Sequence, residues 1–290
     1  MESKKITVEC NAEFSVEFIL AVPYAYWLHK NGLLEKTISV KDSKAVYFFS
    51  ENHEDKYDFR TVDNAAAGLN RLPNNWLHHN PEVSNDRAGI LDFSQWEWPP
   101  FKEYYKNDTF VYDKPLCIIS SKHASEWGGK PINFLDIKTL YELFDYLTKK
   151  YTVVYKRPKN TDYSADQNEN YKVGDVEANV EGIGVINDYD LARNMGVLVF
   201  RDLLEKHKEM SYNELQFKLY ANCDKFITTQ GGNSTIAGAF GKQNINFIKR
   251  GKELREGYHD EGRWYNKMNN CEVTQTGDYD ELIKIVKEKY

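Results

Sequence analysis

Residues 223–248 read Cys223-Asp-Lys-Phe-Ile-Thr-Thr-Gln-Gly-Gly-Asn-Ser-Thr-Ile-Ala-Gly-Ala-Phe-Gly-Lys-Gln-Asn-Ile-Asn-Phe-Ile248. The pattern is an apolar strand, a glycine turn, a helix of small residues and a second strand. Gly231 and Gly232 can take backbone angles closed to other residues. Asn233, Ser234 and Thr235 then bring N-cap oxygens and hydroxyls to the positive end of a helix dipole. A phosphate fits such a place. Ala237, Gly238 and Ala239 let the helix lie close to a sheet, and Gly241 is placed to end it. An ordinary tight strand-to-helix connection would look the same, because short glycine motifs are common.

Working outward, strand and helix patterns alternate between residues 114 and 250. Lys114–Ser120 is an apolar strand, Leu135–Lys149 a helix with Leu140, Leu143, Phe144 and Leu147 on one face, and Tyr151–Tyr155 a strand. Ile183–Ile186 and Val197–Phe200 are further strand candidates, the second of which could instead open a helix running to His207. Ser211 and Glu214 form a capping box before a helix to Tyr220. Such alternation implies a parallel, doubly wound sheet. Its ligands sit beyond the carboxyl ends of the strands, so the loops 120–130, 156–160, 187–190 and 230–235 are expected to converge on one cleft.

Toward the N-terminus, Ile6–Cys10, Lys36–Val40 and Ala45–Phe49 read as strands, and Glu13–Leu28 as a helix despite Pro23, stopped by Asn31-Gly32. Residues 57–110 lose regularity and suit surface loops or a lid. Residues 161–181 look like a polar, acidic insertion, and Tyr279–Tyr290 like a final amphipathic helix. The expected divisions are 1–112, 113–278 and 279–290.

The 290 residues are 41% hydrophobic and 28% charged, the composition of a globular chain long enough for two domains. A formal net charge of -6 argues against a general nucleic-acid binder. No apolar run approaches the roughly 20 residues that span a membrane, and no secretory signal is visible. Cys10, Cys117, Cys223 and Cys271 lack zinc-type spacing and read as reduced core thiols, which points to a cytoplasmic protein. His78-His79 lies in an irregular polar stretch with no carboxylate at ligand spacing. No metal is expected.

The strand-end loops carry chemistry suited to a nucleoside diphosphate. Ser121 and Lys122 follow the first strand of the doubly wound part, Arg157 the second, Asn187 and Asp188 the third, and Gln230–Thr235 the next. Arg157 could grip a diphosphate with its planar fork, or form a surface ion pair; Lys122 would act as a point charge. Neither a Gly-x-x-x-x-Gly-Lys-Ser/Thr loop nor a Gly-x-Gly-x-x-Gly turn after the first strand is present, which disfavours P-loop hydrolases and dinucleotide oxidoreductases.

With this order of elements, Asp224–Phe247 resembles the C-terminal nucleotide-binding domain of GT-B glycosyltransferases, most clearly over residues 113–250. That resemblance implies an α/β fold of two Rossmann-like domains facing across a cleft. It implies a UDP- or GDP-linked sugar held by the C-terminal domain, a glycan or glycoconjugate acceptor held by the N-terminal one, and metal-independent transfer. If the reaction inverts the sugar carbon, Glu13 or Glu17 is expected to take the acceptor's proton, with His53 and Glu54 in reserve. A retaining reaction requires no such base. Glu253 and Glu256 could accept hydrogen bonds from ribose, or pair with Lys252 and Arg255. Asn187, Asp188 and Tyr189 are placed to read the base. A non-catalytic carbohydrate- or nucleotide-binding protein and a sugar-phosphate isomerase or epimerase are the other readings.

Overall fold

The computed structural model describes residues 4–61, 68, 72, 93–125, 130–158, 175–181, 184–255, 257, 259 and 264–290. It is a mixed α/β protein with two parallel sheets. The smaller contains β1 (Ile6–Glu9), β2 (Leu34–Val40) and β3 (His53–Tyr57) in that order, with α1 (Phe14–Lys30) crossing from β1 to β2. A 3-10 turn at Phe93–Gln95 and α2 (Phe101–Tyr105) lead to the larger sheet.

That sheet is built from β4 (Leu116–Ser120), β5 (Thr152–Lys156), β8 (Leu198–Val199), β9 (Cys223–Thr229), β10 (Gln243–Phe247) and β11 (Glu272–Thr276). Its order is β11-β10-β9-β4-β5-β8, every pairing parallel. Counted from β4, this is the doubly wound Rossmann order, with the reversal between β4 and β9. On one face lie α3 (Ile137–Leu147), α4 (Asp188–Asn194) and α10 (Tyr279–Lys289). On the other lie α5 (Phe200–Lys206), α6 (Tyr212–Ala221), α7 (Gly232–Phe240) and α9 (Trp264–Asn269), while α8 (Lys252–Arg255) follows β10.

One hydrophobic cluster joins the two sheets. Phe18 of α1 packs 5.0 Å from Phe101 and 6.1 Å from Phe217 of α6, and Phe101 stands 5.8 Å from Phe240 of α7. Lys102 fastens the same segment to the far end of α7, donating to Phe240 O at 2.7 Å and Cys223 O at 3.0 Å. At the other end, Asp42, after β2, accepts a bond from the backbone N–H of Asn213 in the first turn of α6 at 2.9 Å. The loops at the carboxyl end of the small sheet therefore meet the helices that begin at the carboxyl end of the large one.

Pro23 does not break α1. Having no N–H, it leaves the carbonyl of Ile19 without its helical partner. The indole N–H of Trp96 donates to that carbonyl at 2.7 Å, and Glu97 N–H reaches Pro23 O at 3.3 Å.

Several expected elements differ. Ala45–Phe49 forms turns whose Val46, Tyr47 and Phe49 are buried, and the third strand is instead the charged His53–Tyr57. Charge suits an edge strand, which must not pair with a stranger. Gly184–Asn187 is β7, which pairs antiparallel with β6 (Glu177–Val180) in a separate hairpin. The apolar run at Val197 divides between a two-residue strand and the start of α5. All four cysteines are free and buried. His78, His79, Glu256 and most of 161–181 lie outside the described residues.

Trp96→Phe keeps the aromatic packing but orphans Ile19 O, a loss expected to be about 1–3 kcal/mol. Urea unfolding measures it; a change below about 0.5 kcal/mol would show that the bond does not support α1.

Candidate functional site

The helices that follow β4 and β9, α3 and α7, lie on opposite faces of the large sheet, which opens a crevice between the two strand ends. Ser121 and Lys122 leave β4 there, and Gln230 and Gly231 leave β9. Two sequence-predicted loops thus meet at one point.

Gly231 has φ 96° and ψ -148°, a conformation that only glycine adopts readily. This lets the chain turn directly from β9 into α7. A Cβ on Gly231 would stand 3.1 Å from Lys122 Nζ, so the lysine head lies against the turn. Gly231 and Gly232 are partly exposed, whereas Asn233, Ser234 and Thr235 are buried. As N-cap residue, Gly231 has no side chain to cap α7. Asp136, Asn187, Ser211 and Asp278 do cap α3, α4, α6 and α10. The first-turn N–H groups of α7 have no acceptor within their own helix. They form an anion-seeking end beside a cation.

The first turn of α1 abuts the same place. A Cβ on Gly232 would lie 3.4 Å from Ser15 Oγ and 3.9 Å from the Phe14 ring. Glu13 is the N-cap residue of α1, and its side chain makes no capping bond.

The side chains expected to face a phosphate turn inward instead. Asn233 Nδ2 donates to Ser121 O at 3.2 Å, tying the two crevice loops together. Ser234 Oγ lies 3.0 Å from Tyr265 OH and accepts from Asn244 Nδ2 at 3.2 Å. Thr235 Oγ1 donates to Gly231 O at 3.3 Å. The Ser121 hydroxyl accepts from Leu135 N–H at 3.2 Å. Gln230 donates to both oxygens of Glu253, at 2.9 and 3.1 Å, and accepts from Asn133 at 3.3 Å. The side-chain groups of the motif build the turn, and the backbone presents its donors.

Arg157 and Asp188 form a buried, two-pronged ion pair, through Nε to Oδ2 and through Nη2 to Oδ1 at 3.0 Å. Arg157 also reaches Asp175 at 3.0 Å and packs 4.6 Å from the Tyr189 ring centroid. Tyr155 OH donates to Asp188 at 2.7 Å. Burial, and then the Asp188 charge, hold the Tyr155 hydroxyl well above its ordinary pKa. Of the two readings of Arg157 the structure has the ion pair, though in the interior rather than on the surface. Asn187 caps α4, accepting from Asp190 N–H at 2.9 Å. The carboxylate and the cap are both committed to holding α4.

The candidate bases separate clearly. Glu17 is fully buried and accepts bonds from Arg60, Ser39 and, at 2.8 Å, Tyr47. His53 sits under the loop 43–50, with Nδ1 2.8 Å from Thr37 Oγ1 and Nε2 3.0 Å from both Ser43 Oγ and Asp55. Burial lowers its pKa, against the pull of Asp55. Glu54 pairs with Lys36. Only Glu13 lies in the turn that touches Gly232. Arg60, missed by sequence reading, also donates to Ala12 O at 2.7 Å and stacks over Phe14 at 5.2 Å, so the Glu17–Arg60 pair holds that turn in place. Asn133 is a second missed residue: its side chain accepts from Lys249 and Arg250 N–H at 2.8 and 3.2 Å. Nothing local in the sequence marks either one.

Among the described residues no group of three His, Cys, Asp or Glu side chains could hold a metal ion, and no helix is long and apolar enough to cross a membrane. No protein-family model, curated protein or solved structure matches the chain.

Gly231→Ala forces a left-handed conformation on alanine and is expected to cost about 1–3 kcal/mol. Gly232→Ala, in helical geometry with an ordinary contact to Ser15, should change stability by less than about 0.5 kcal/mol. Urea unfolding of both variants checks the contrast, and equal losses would contradict it.

Proposed function

We propose that the protein is a metal-independent glycosyltransferase that moves a sugar from a UDP- or GDP-linked donor to a hydroxyl of a glycan or glycoconjugate, with GT-B-like halves facing across a cleft. The reading is carried by the uncapped start of α7 at the β4–β9 switch point, with Lys122 against Gly231. When a nucleoside diphosphate leaves a sugar, negative charge grows on its terminal phosphate. Preorganised N–H donors and an ammonium aimed at that charge lower the barrier. Gly232 and Asn233 would supply backbone donors and Lys122 the cation. Two further observations support facing halves: the Asp42 contact with α6 and the approach of α1 to α7.

Glu13 is the proposed base of an inverting transfer, accepting the acceptor's hydroxyl proton while the sugar–phosphate bond breaks. Arg157 has no part in this scheme. It orients α4 at the edge of the site.

The expected outcome is that UDP or GDP raises the melting temperature more than CMP or ADP, and that a matching nucleotide-sugar releases free diphosphate slowly. Lys122→Ala should weaken nucleoside diphosphate binding about 10-fold or more, the loss of one charge-assisted hydrogen bond. Glu13→Gln should slow turnover without weakening donor binding. If neither UDP nor GDP shifts the melting temperature, the reading fails; if Glu13→Gln keeps full activity, the base lies elsewhere.

A further inference from the structure

Resting on the diphosphate reading, we propose that Asp42 is a latch that holds the first turn of α1 shut over the first turn of α7, so that the backbone donors there meet a ligand only when the latch releases. Ser15 and Phe14 stand within van der Waals reach of a side chain placed on Gly232, which leaves little room for a phosphate between the two turns. The contact is weakly made. The Ser15 hydroxyl is shielded from solvent, yet it forms no hydrogen bond among the described residues. A shielded hydroxyl without a partner costs free energy, so the closure has to be held from elsewhere.

Asp42 holds it from the small sheet. Its carboxylate accepts from Asn213 N–H at 2.9 Å, and its carbonyl accepts from the Asn213 side chain at 2.7 Å. Asp42 has φ 62°, and its own N–H is braced by Asp55 at 3.1 Å. The clasp is releasable: burial raises the Asp42 carboxyl above its ordinary pKa, against hydrogen bonds from Ser211 and Asn213, and Asp55 and Glu214 add like charges. At the other end of α6, about 14 Å along the helix, the chain crossing to the large sheet is tied more firmly. There Asn222 donates to Asn107 O at 2.8 Å and Phe110 O at 3.1 Å, and Asn107 donates to Lys218 O at 2.7 Å. Between the two ties, Phe18 packs among Phe101 and Phe217. Release of Asp42 therefore lets α1 tilt about Phe18 and the Asn107–Asn222 tie, a hinge movement that opens the turns at Ser15 and Gly232 and keeps the aromatic packing.

The test is amide hydrogen exchange of the full chain for the wild type, Asp42→Gly and Asp42→Asn, with stopped-flow binding of UDP and GDP to each. Glycine removes the carboxylate and still takes a positive φ without strain, whereas asparagine keeps both the backbone and an acceptor oxygen. Asp42→Gly should raise exchange about tenfold at residues 14–18 and 232–236, as expected for the loss of one hydrogen bond to a charged group, and leave 217–222 unchanged. Its association rate for the diphosphate should rise by a similar factor, and Asp42→Asn should stay within about twofold of wild type in both measurements. Exchange raised only at 41–43 and 212–214, exchange raised equally at 217–222, or an unchanged association rate would each overturn the latch. If neither UDP nor GDP binds any of the proteins, the diphosphate reading fails and the gating role with it, while exchange still decides whether Asp42 holds the two turns together.

Discussion

The backbone of Gly231 is the constraint on which the crevice at the β4–β9 switch point depends. Its left-handed conformation lets β9 pass into α7 without an intervening loop. The first turn of α7 is thereby set at the point where strand order reverses, with its N–H groups lacking the side-chain cap that four other helices carry. The side chains that follow glycine are drawn inward, Asn233 toward the β4 loop and Ser234 toward Tyr265 and Asn244. These ties hold the turn rigid from below. A rigid set of backbone donors needs little rearrangement to meet a developing charge.

Buried ion pairs form the frame around that turn. Arg157 with Asp188 fixes the start of α4, and Arg60 with Glu17 fixes the turn before α1. Each pair is fully desolvated, so removing either arginine would leave a buried carboxylate without its cation, at a cost of about 3–5 kcal/mol. Neither pair meets the crevice with a free charge of its own. Their effect on the crevice is positional, delivered through Ala12, Phe14 and Tyr189.

The glycine turn was legible because it combines three local signals: an apolar strand, two glycines and a helix of small residues. The doubly wound sheet was legible for the same reason, since alternating periods need no long-range knowledge. Glu13, Lys122 and Gly231 could be placed at strand ends from sequence alone. What could not be read were the partners. Arg157 finds Asp188 31 positions away and Glu17 finds Arg60 43 positions away, and only the folded chain brings them together. Strand β3, His-Glu-Asp-Lys-Tyr, escaped because an edge strand needs no apolar face. Strand β11, Glu-Val-Thr-Gln-Thr, escaped for the same reason at an edge of the large sheet.

The most direct test of the central claim is a crystal structure of the protein with UDP or GDP bound. The account predicts phosphate oxygens within hydrogen-bond distance of the Gly232 and Asn233 backbone nitrogens, with Lys122 Nζ on the same phosphate. A diphosphate bound elsewhere, with those amide groups facing only protein or solvent, would contradict it.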